Sequence, residues 1–260
     1  MSTTPSDAPT RRETQPWLAQ WWDLFLMELT NWRWSWRSAL LMGVVTPLFS
    51  LLGLGIFARD SGVEALAYVM TGNVVVSLLF GAMNSVQGRV LWMRFQGGLD
   101  FIATLPVKRS IFILAMVSAF FLLNLPSILI TMLLGPLLLK VPVAPHPLLI
   151  LVIPFCVAPL AGVGAILGLT GRTQQESGNL TFLLTLLMTG LGPVIVPPDR
   201  LPGFMLALGR LSPATYAASA LRQTLVGPVT PQLIVDLGVL AALAVLSLAW
   251  VGRRMNLRED

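Results

Sequence analysis

The chain has 260 residues, 55% of them hydrophobic and only 11% charged. Soluble domains carry about 25% charged residues, so this balance and the long uncharged runs exclude an ordinary soluble domain and place the chain in the membrane class. The net charge of +5 is spread between apolar runs rather than gathered in a patch, which points to membrane topology and not to nucleic acid.

Residues 1–16 are polar and contain no apolar run, so they are predicted to form a disordered tail without a cleavable leader. Arg11-Arg12 is followed by Glu13-Thr14-Gln15-Pro16, where a twin-arginine signal needs apolar residues. Residues 17–38 hold six of the eight tryptophans. There Trp17, Trp21, Leu24, Phe25 and Glu28 follow helical spacing. Indole prefers the headgroup zone, and Arg33 and Arg37 can meet anionic lipid. The segment therefore reads as an amphipathic helix on the inner membrane surface, with an aromatic belt on an extended first span as the alternative.

A helix needs about 20 apolar residues to cross a bilayer core. Six stretches reach or approach this length: 39–57, 63–86, 111–139, 148–170, 179–196 and 234–251. The third contains Pro126 and Pro136, which predict a kink or an early end. The fifth is short and ends in Gly and Pro. Six spans leave both termini on one side, and the basic residues choose it. With a cytoplasmic N-terminus the inner segments hold twelve Lys/Arg and the outer segments five.

Between the second and third spans, residues 88–109 carry Leu91, Phe95, Leu99 and Ile102 on one helical stripe. Arg94, Gln96 and Asp100 fall off it, Gly97-Gly98 loosens its middle, and Pro106 ends it before Lys108-Arg109. This is predicted to be a short amphipathic helix, broken at a flexible Gly97-Gly98 joint, that either lies on lipid or docks a cytosolic partner. His146, between Pro145 and Pro147, is a loop residue, and the lone Cys156 is a buried hydrophobe that forms no disulfide within the chain. Gly164 and Gly168 lie inside an apolar run with the wrong spacing for a dinucleotide loop, and four-residue spacing suits close helix packing. The segment 197–230 is broken by Pro202, Gly203, Gly209 and Pro213. Its second half, 213–226, can form an amphipathic helix with Pro213 in the first turn and Ser212 as cap, packed over the outer ends of the spans.

What the chain lacks is equally informative. Its two lysines, Lys108 and Lys140, do not stand in a phosphate-binding loop, so it has no ATP site of that kind. Its spans hold essentially no charges, with Glu64 and Asp236 near span ends, which argues against an ion-coupled carrier or channel. One His and one Cys make no metal cluster, and no nucleophile–base pair is legible. The span polar groups are mild: Asn73, Ser77, Asn84, Asn124, Thr181, Thr185 and Thr189. They read either as hydrogen bonds between helices or, for Asn73, Asn84, Asn124, Thr181 and Thr185, as the lining of a substrate path.

Two stretches carry a family resemblance. "RFQGGLDFIATLPVKRSIFILAMV", residues 94–117, and "VIVPPDRLPGFMLALGRLSPATYAASALR", residues 194–222, are similar to the inner loop and outer segment of type-2 ABC transporter permeases. Two positions depart from the family pattern. Acidic residues often precede the glycine turn, where this chain has Arg94-Phe95-Gln96, and Ser212 stands where Asn is common.

The resemblance implies an all-α membrane protein with six transmembrane helices. It would sit in a bacterial plasma membrane with both termini cytoplasmic, as a homodimer or paralogous heterodimer on two copies of a separate ATPase chain. ATP and Mg would lie on that partner, with no cofactor in this chain. Residues 88–109 would be the coupling helix, with Arg94, Phe95, Gly97, Gly98, Leu99, Asp100 and Ile102 as partner contacts. The short loop 171–178 would add a second contact at Glu176. Substrate would leave along the dimer interface, under re-entrant helices carrying Pro202, Pro213, Tyr216 and Arg222. The expected function is export of a hydrophobic or amphipathic molecule (a drug, a lipid-linked glycan or a peptide). A stand-alone ion-coupled carrier or a non-transporting membrane scaffold are the rival classes.

Overall fold

The computed structural model describes residues 16–31, 36–58, 62–104, 107 and 109–256. The expected disordered tail, Arg33, Pro106 and Lys108 lie outside the described residues, apart from the exposed Pro16. The described chain is all helix and turn. Helices α1 (Trp17–Asn31) and α2 (Trp36–Ala58) are followed by α3 (Val63–Leu78), a π-helical turn (Leu79–Met83) and α4 (Asn84–Phe95). Next come α5 (Gly98–Thr104), α6 (Arg109–Leu139), α7 (Leu149–Thr170) and α8 (Gln174–Gly190). A short 3-10 turn (Pro198–Arg200), α9 (Gly203–Gly209), α10 (Pro213–Leu225) and α11 (Gln232–Asn256) complete the chain.

Among the described residues, four helices are long and apolar enough to cross a membrane: Val63–Phe95, Ser110–Leu139, Leu149–Thr170 and Gln232–Arg254. Of the remaining two expected spans, 39–57 lies within the 23-residue α2, and α8 has 17 residues. The expected early end of the third span does not occur. Helix α6 runs 31 residues through both Pro126 and Pro136. Each proline removes one backbone bond, and α6, packed against α1, α2 and α3, continues past both. The fifth helix is also placed differently from the 179–196 expectation, beginning at Gln174 and stopping at Gly190. Gly192, at φ 145 just before Pro193, turns the chain away there.

The second apolar run continues beyond its expected end at residue 86 as one 33-residue helix. At ~1.5 Å per residue it reaches ~50 Å, well past a ~30 Å hydrocarbon core. Its π turn, where the Asn84 amide donates to the Leu79 carbonyl, inserts an extra residue and re-aims the backbone. Helix α7 crosses it at Gly164 and Gly168. A Cβ on Gly164 would overlap the Met83 carbonyl oxygen, and one on Gly168 would lie 2.8 Å from the Gln87 carbonyl oxygen. The four-residue glycine spacing therefore serves close helix approach.

Two apolar clusters fill the protein. One joins the π turn, α3, α7, α10 and α11 through Val75, Leu79, Met83, Val157, Leu221 and Leu240. The other gathers Leu24 of α1, Val90 of α4, Ile102 of α5, Phe112 of α6, Ala165 of α7 and Val251 of α11. The second cluster defines the α5 end of the bundle. The other end, called the α10 end, carries the 141–148 and 191–202 connections, with Ala144 and His146 amides donating to the Leu225 and Thr224 carbonyls.

The span polar groups mostly bond within their own helices rather than between them. Asn73 donates to the Val69 carbonyl at 2.8 Å, Asn124 to Phe120 at 2.6 Å, Thr181 to Ser177, Thr185 to Thr181 and Thr189 to Thr185, each at 2.8 Å. A short side chain reaches the carbonyl four residues back without help from a neighbour. Cys156 is buried, and His146 lies in the loop expected for it.

The glycine crossing is testable. Gly164→Val is expected to destabilise the protein by about 2 kcal/mol or more through overpacking, read as a lower unfolding temperature in detergent. Gly88→Ala, on the same long helix with open space around it, is expected to be neutral or stabilising by up to ~1 kcal/mol.

Candidate functional site

At the α5 end the α4–α5 turn, the α7–α8 connection and helix α1 lie side by side. Helix α4 closes with the Gln96 amide donating to the Trp92 carbonyl at 3.0 Å. Gly97 follows at φ 72, a left-handed conformation that glycine adopts without penalty. Helix α5 then starts at Gly98 and folds back on α4, so closely that a Cβ on Gly98 would stand 3.3 Å from Met93 Cα.

The single stripe expected over 88–109 is therefore two structures. Leu91 is buried on α4, and Phe95 at its end is 56% exposed. Beyond the glycine turn, Leu99 is half-buried and Ile102 is buried against the cluster of the α5 end. Periodicity ran unbroken across residues 91–102, but the positive φ at Gly97 changes the chain direction and divides the stripe. Asp100 is exposed in the first turn of α5, where a carboxylate complements the helix dipole.

Arg94, expected among the outward contacts, turns inward. Its Nη1 donates to the Leu169 carbonyl at 2.8 Å and to the Gly171 carbonyl at 2.5 Å. These groups lie at the C-terminus of α7, where helix carbonyls lack partners of their own. Arg94 thus caps a helix about 75 residues away in sequence and fastens α4 to the α7–α8 connection.

That connection is shorter than the expected 171–178 loop, because α8 begins at Gln174. Thr173 is its N-cap and accepts from the Glu176 amide at 3.1 Å, while Glu176 Oε2 accepts from the Arg172 amide at 3.2 Å. Thr-x-x-Glu is a capping-box signature, and it was readable in the sequence. Ser177, buried beneath, donates to the Leu167 carbonyl at 3.0 Å and accepts from Gln87 Nε2 at 2.7 Å. Neither Gln87 nor Ser177 had a sequence signal, since their pairing joins positions 90 apart.

Helix α1 lies beside this surface. Leu24, Phe25 and Glu28 are buried, and Trp17, Leu18 and Trp22 are exposed. Glu28 forms a bidentate pair with Arg89: Nε to Oε2 at 2.8 Å and Nη2 to Oε1 at 3.0 Å. The Glu28 and Arg89 side chains are 2% and 14% exposed. A groove of about 630 Å³ separates α1 from α4 and α5, lined by Met27, Arg89, Trp92, Gly98 and Ile102 among others.

The α10 end holds the other expected residues. Pro202 is exposed before α9, and Pro213 is buried at the start of α10. Tyr216 Oη donates to the Arg210 carbonyl at 2.8 Å. Ser212 occupies the N-cap position, but its buried hydroxyl makes no capping bond, contrary to the sequence expectation. Arg222 Nη2 donates to the Pro193 and Val194 carbonyls at 3.2 and 3.3 Å, and its guanidinium lies 3.4 Å from the centre of the Tyr68 ring. Asp236 is buried and accepts from Gln223 at 3.0 Å and Gln232 at 3.1 Å. Asn73, Asn124, Thr181 and Thr185 are buried within the packed chain, and Asn84 is half-buried.

Among the described residues no group of three or more His, Cys, Asp or Glu stands ready to hold a metal ion. The arrangement offers an exposed short helix hinged at a glycine, fixed connections beside it, and a second polar cluster at the opposite end. A family profile described as ABC-2 type transporter matches residues 19–226, most of the chain. No curated protein matches it.

The Glu28–Arg89 pair gives a stability prediction. Arg89→Met leaves a buried carboxylate without its partner, and a loss of about 3–5 kcal/mol is expected. Adding Glu28→Leu should restore most of that loss, because the uncompensated charge is then gone. Unfolding temperatures of the wild type, both single variants and the double variant check it.

Proposed function

The chain belongs to the ABC-2 type transporter family, and on that premise we propose that this multi-pass permease component works as an exporter. It moves a hydrophobic or amphipathic substrate, such as a drug, a lipid-linked glycan or a peptide, out of a bacterial cytoplasm. The family implies pairing with an ABC ATPase. In our reading two copies of that separate chain bind ATP and Mg and supply the energy, and this chain brings no cofactor of its own. Two permease copies, identical or paralogous, enclose the path.

One observation carries the reading: α5 is a separate short helix, folded back on α4 after Gly97, with Phe95 and Asp100 exposed beside it. A seven-residue helix contributes little to the core, and its placement on the end of a 33-residue helix suits it to receive a push. Closure of the ATPases on ATP moves α5, and the two permeases rock between inward and outward openings. In this reading the twelve-against-five distribution of basic residues turns both termini and α5 to the cytoplasm of the inner membrane. Phe95, Leu99, Asp100 and Ile102 form or support the partner contact, with Glu176 at its edge. Asn73, Asn84, Asn124, Thr181 and Thr185 act behind the path by setting helix packing, and the helices around Pro202, Pro213, Tyr216 and Arg222 form its outer cover.

The test is co-expression with the ATPase encoded beside the gene, followed by purification and measurement of ATP hydrolysis with and without lipophilic drugs or lipids. Stable association and stimulated hydrolysis are expected. Failure to co-purify with any ATPase overturns the proposal, and transport by this chain alone, abolished by ionophores, replaces it with an ion-coupled carrier.

Two variants probe the docking helix. Gly98→Asp and Asp100→Lys are expected to insert normally in the membrane and to lower substrate-stimulated hydrolysis about tenfold or more, the loss of one well-placed contact. Normal transport by both removes α5 from the docking role.

A further inference from the structure

Helix α8 buries few of its residues against the rest of the chain. Along its 17 residues only Ser177, Thr181, Thr185 and Met188 are buried. Helix α7 buries eleven of 22, including Val152, Val157 and Leu160. The buried stripe of α8 is three hydroxyl residues and one methionine, so little apolar area binds it. The Thr181 and Thr185 hydroxyls are satisfied by the carbonyls four residues back in the same helix. No directional bond from either hydroxyl ties the middle of α8 to a neighbour. Elements with few buried apolar contacts are the ones that shift at low energy.

The two ends of α8 are the opposite. At the α5 end, Gln87 of α4 reaches Ser177, which in turn donates to the Leu167 carbonyl. Arg94 of α4 holds the adjoining Leu169 and Gly171 carbonyls. Space is so short that a Cβ on Gly171 would stand 2.5 Å from Ser177 Cβ. At the α10 end, the turn that leaves α8 is held by Arg222 through the Pro193 and Val194 carbonyls, with Tyr68 of α3 stacked on the guanidinium. The same turn presses on α3, where a Cβ on Gly72 would lie 2.7 Å from the Val194 carbonyl oxygen. Charge-assisted bonds to carbonyls are stronger than neutral ones, so the α7 terminus that leads into α8 and the turn that leaves it are firmly held.

We infer that α8 is the transmission element between the two ends of the permease, with Arg94 and Arg222 as the positioning residues that fasten it. A displacement of α5 and the last turn of α4 is passed by Arg94 and Gln87 to the start of α8. The loosely packed middle lets the helix shift as a unit. Arg222 passes the shift to α10 and to α3. The inference rests on the ATP-driven cycle proposed above.

The test is hydrogen exchange by mass spectrometry on the permease–ATPase complex in lipid nanodiscs, without nucleotide and with ATP and vanadate. In the wild type, segments 98–104 and 191–202 are both expected to change exchange rate between the two states, by about tenfold, the size of a usual coupling energy. Arg94→Ala should keep the change at 98–104 and reduce that at 191–202 to within about twofold. Arg94→Lys, which keeps a cationic donor, should recover part of it. A general loss of stability would instead raise exchange throughout. Should Arg94→Ala fail to fold, Ser177→Ala removes the tie to α8 alone and must also weaken the change at 191–202. At the other end, segment 213–225 should also respond in the wild type, and Arg222→Gln should remove that response while leaving the one at 98–104 intact.

A full response at 191–202 in folded Arg94→Ala overturns the inference, as does a wild type that responds at 98–104 only. A wild type that responds at neither segment because no ATPase binds overturns the proposed function itself, and the inference with it.

Discussion

The contact between α7 and the long helix Val63–Phe95 constrains everything around it. Two backbones meet there with no side chain between them, at Gly164 against the Met83 carbonyl and at Gly168 against the Gln87 carbonyl. The π turn at Leu79–Met83 presents the first of those carbonyls. Any side chain at Gly164 would push the helices apart. The reach from Arg94 to the α7 carbonyls, and from Gln87 to Ser177, would lengthen with them. The position of α5 depends in turn on the end of α4. A packing condition in the middle of the bundle therefore sets the geometry of the end that would meet a partner.

Polar groups follow a consistent division. Within the long helices, short side chains bond to their own backbone and leave the faces between helices to apolar packing. Bonds between elements are concentrated at the ends, where helix carbonyls and amides lack partners. Arg94 serves the C-terminus of α7, Thr173 and Glu176 serve the N-terminus of α8, and Arg222 serves the turn after it. Glu28 and Arg89 join α1 to α4 with a pair whose charges are matched inside the protein. In the interior, packing rather than hydrogen bonding therefore sets how the helices meet, while the ends are tied by bonds between elements.

Much of this was legible before the fold was seen. The apolar runs located α7 almost to the residue, because a bilayer-length helix is a property of local composition. Gly164 and Gly168 announced a close crossing, and Pro213 announced the start of α10. In the stretch 88–109 the glycine break was legible, but the geometry of the turn was not. Leu91, Phe95, Leu99 and Ile102 share a helical period, yet a positive φ at Gly97 puts Leu91 in one helix and Ile102 in another. The start of α8 was also missed although Thr173-x-x-Glu176 stood in the sequence, because hydropathy marks where a helix becomes apolar and not where it begins.

By itself the sequence determined the all-helical membrane class, the approximate runs, the glycine break at 97 and the family resemblance. Each is carried by neighbouring residues or by a contiguous motif. Only the tertiary structure decided that Arg94 faces α7, that Arg222 stacks on Tyr68, and that Glu28 meets Arg89. These partners lie tens of residues or more apart. Which of them meet depends on the rotation and height of each helix in the bundle, and those are fixed only when all the faces pack at once.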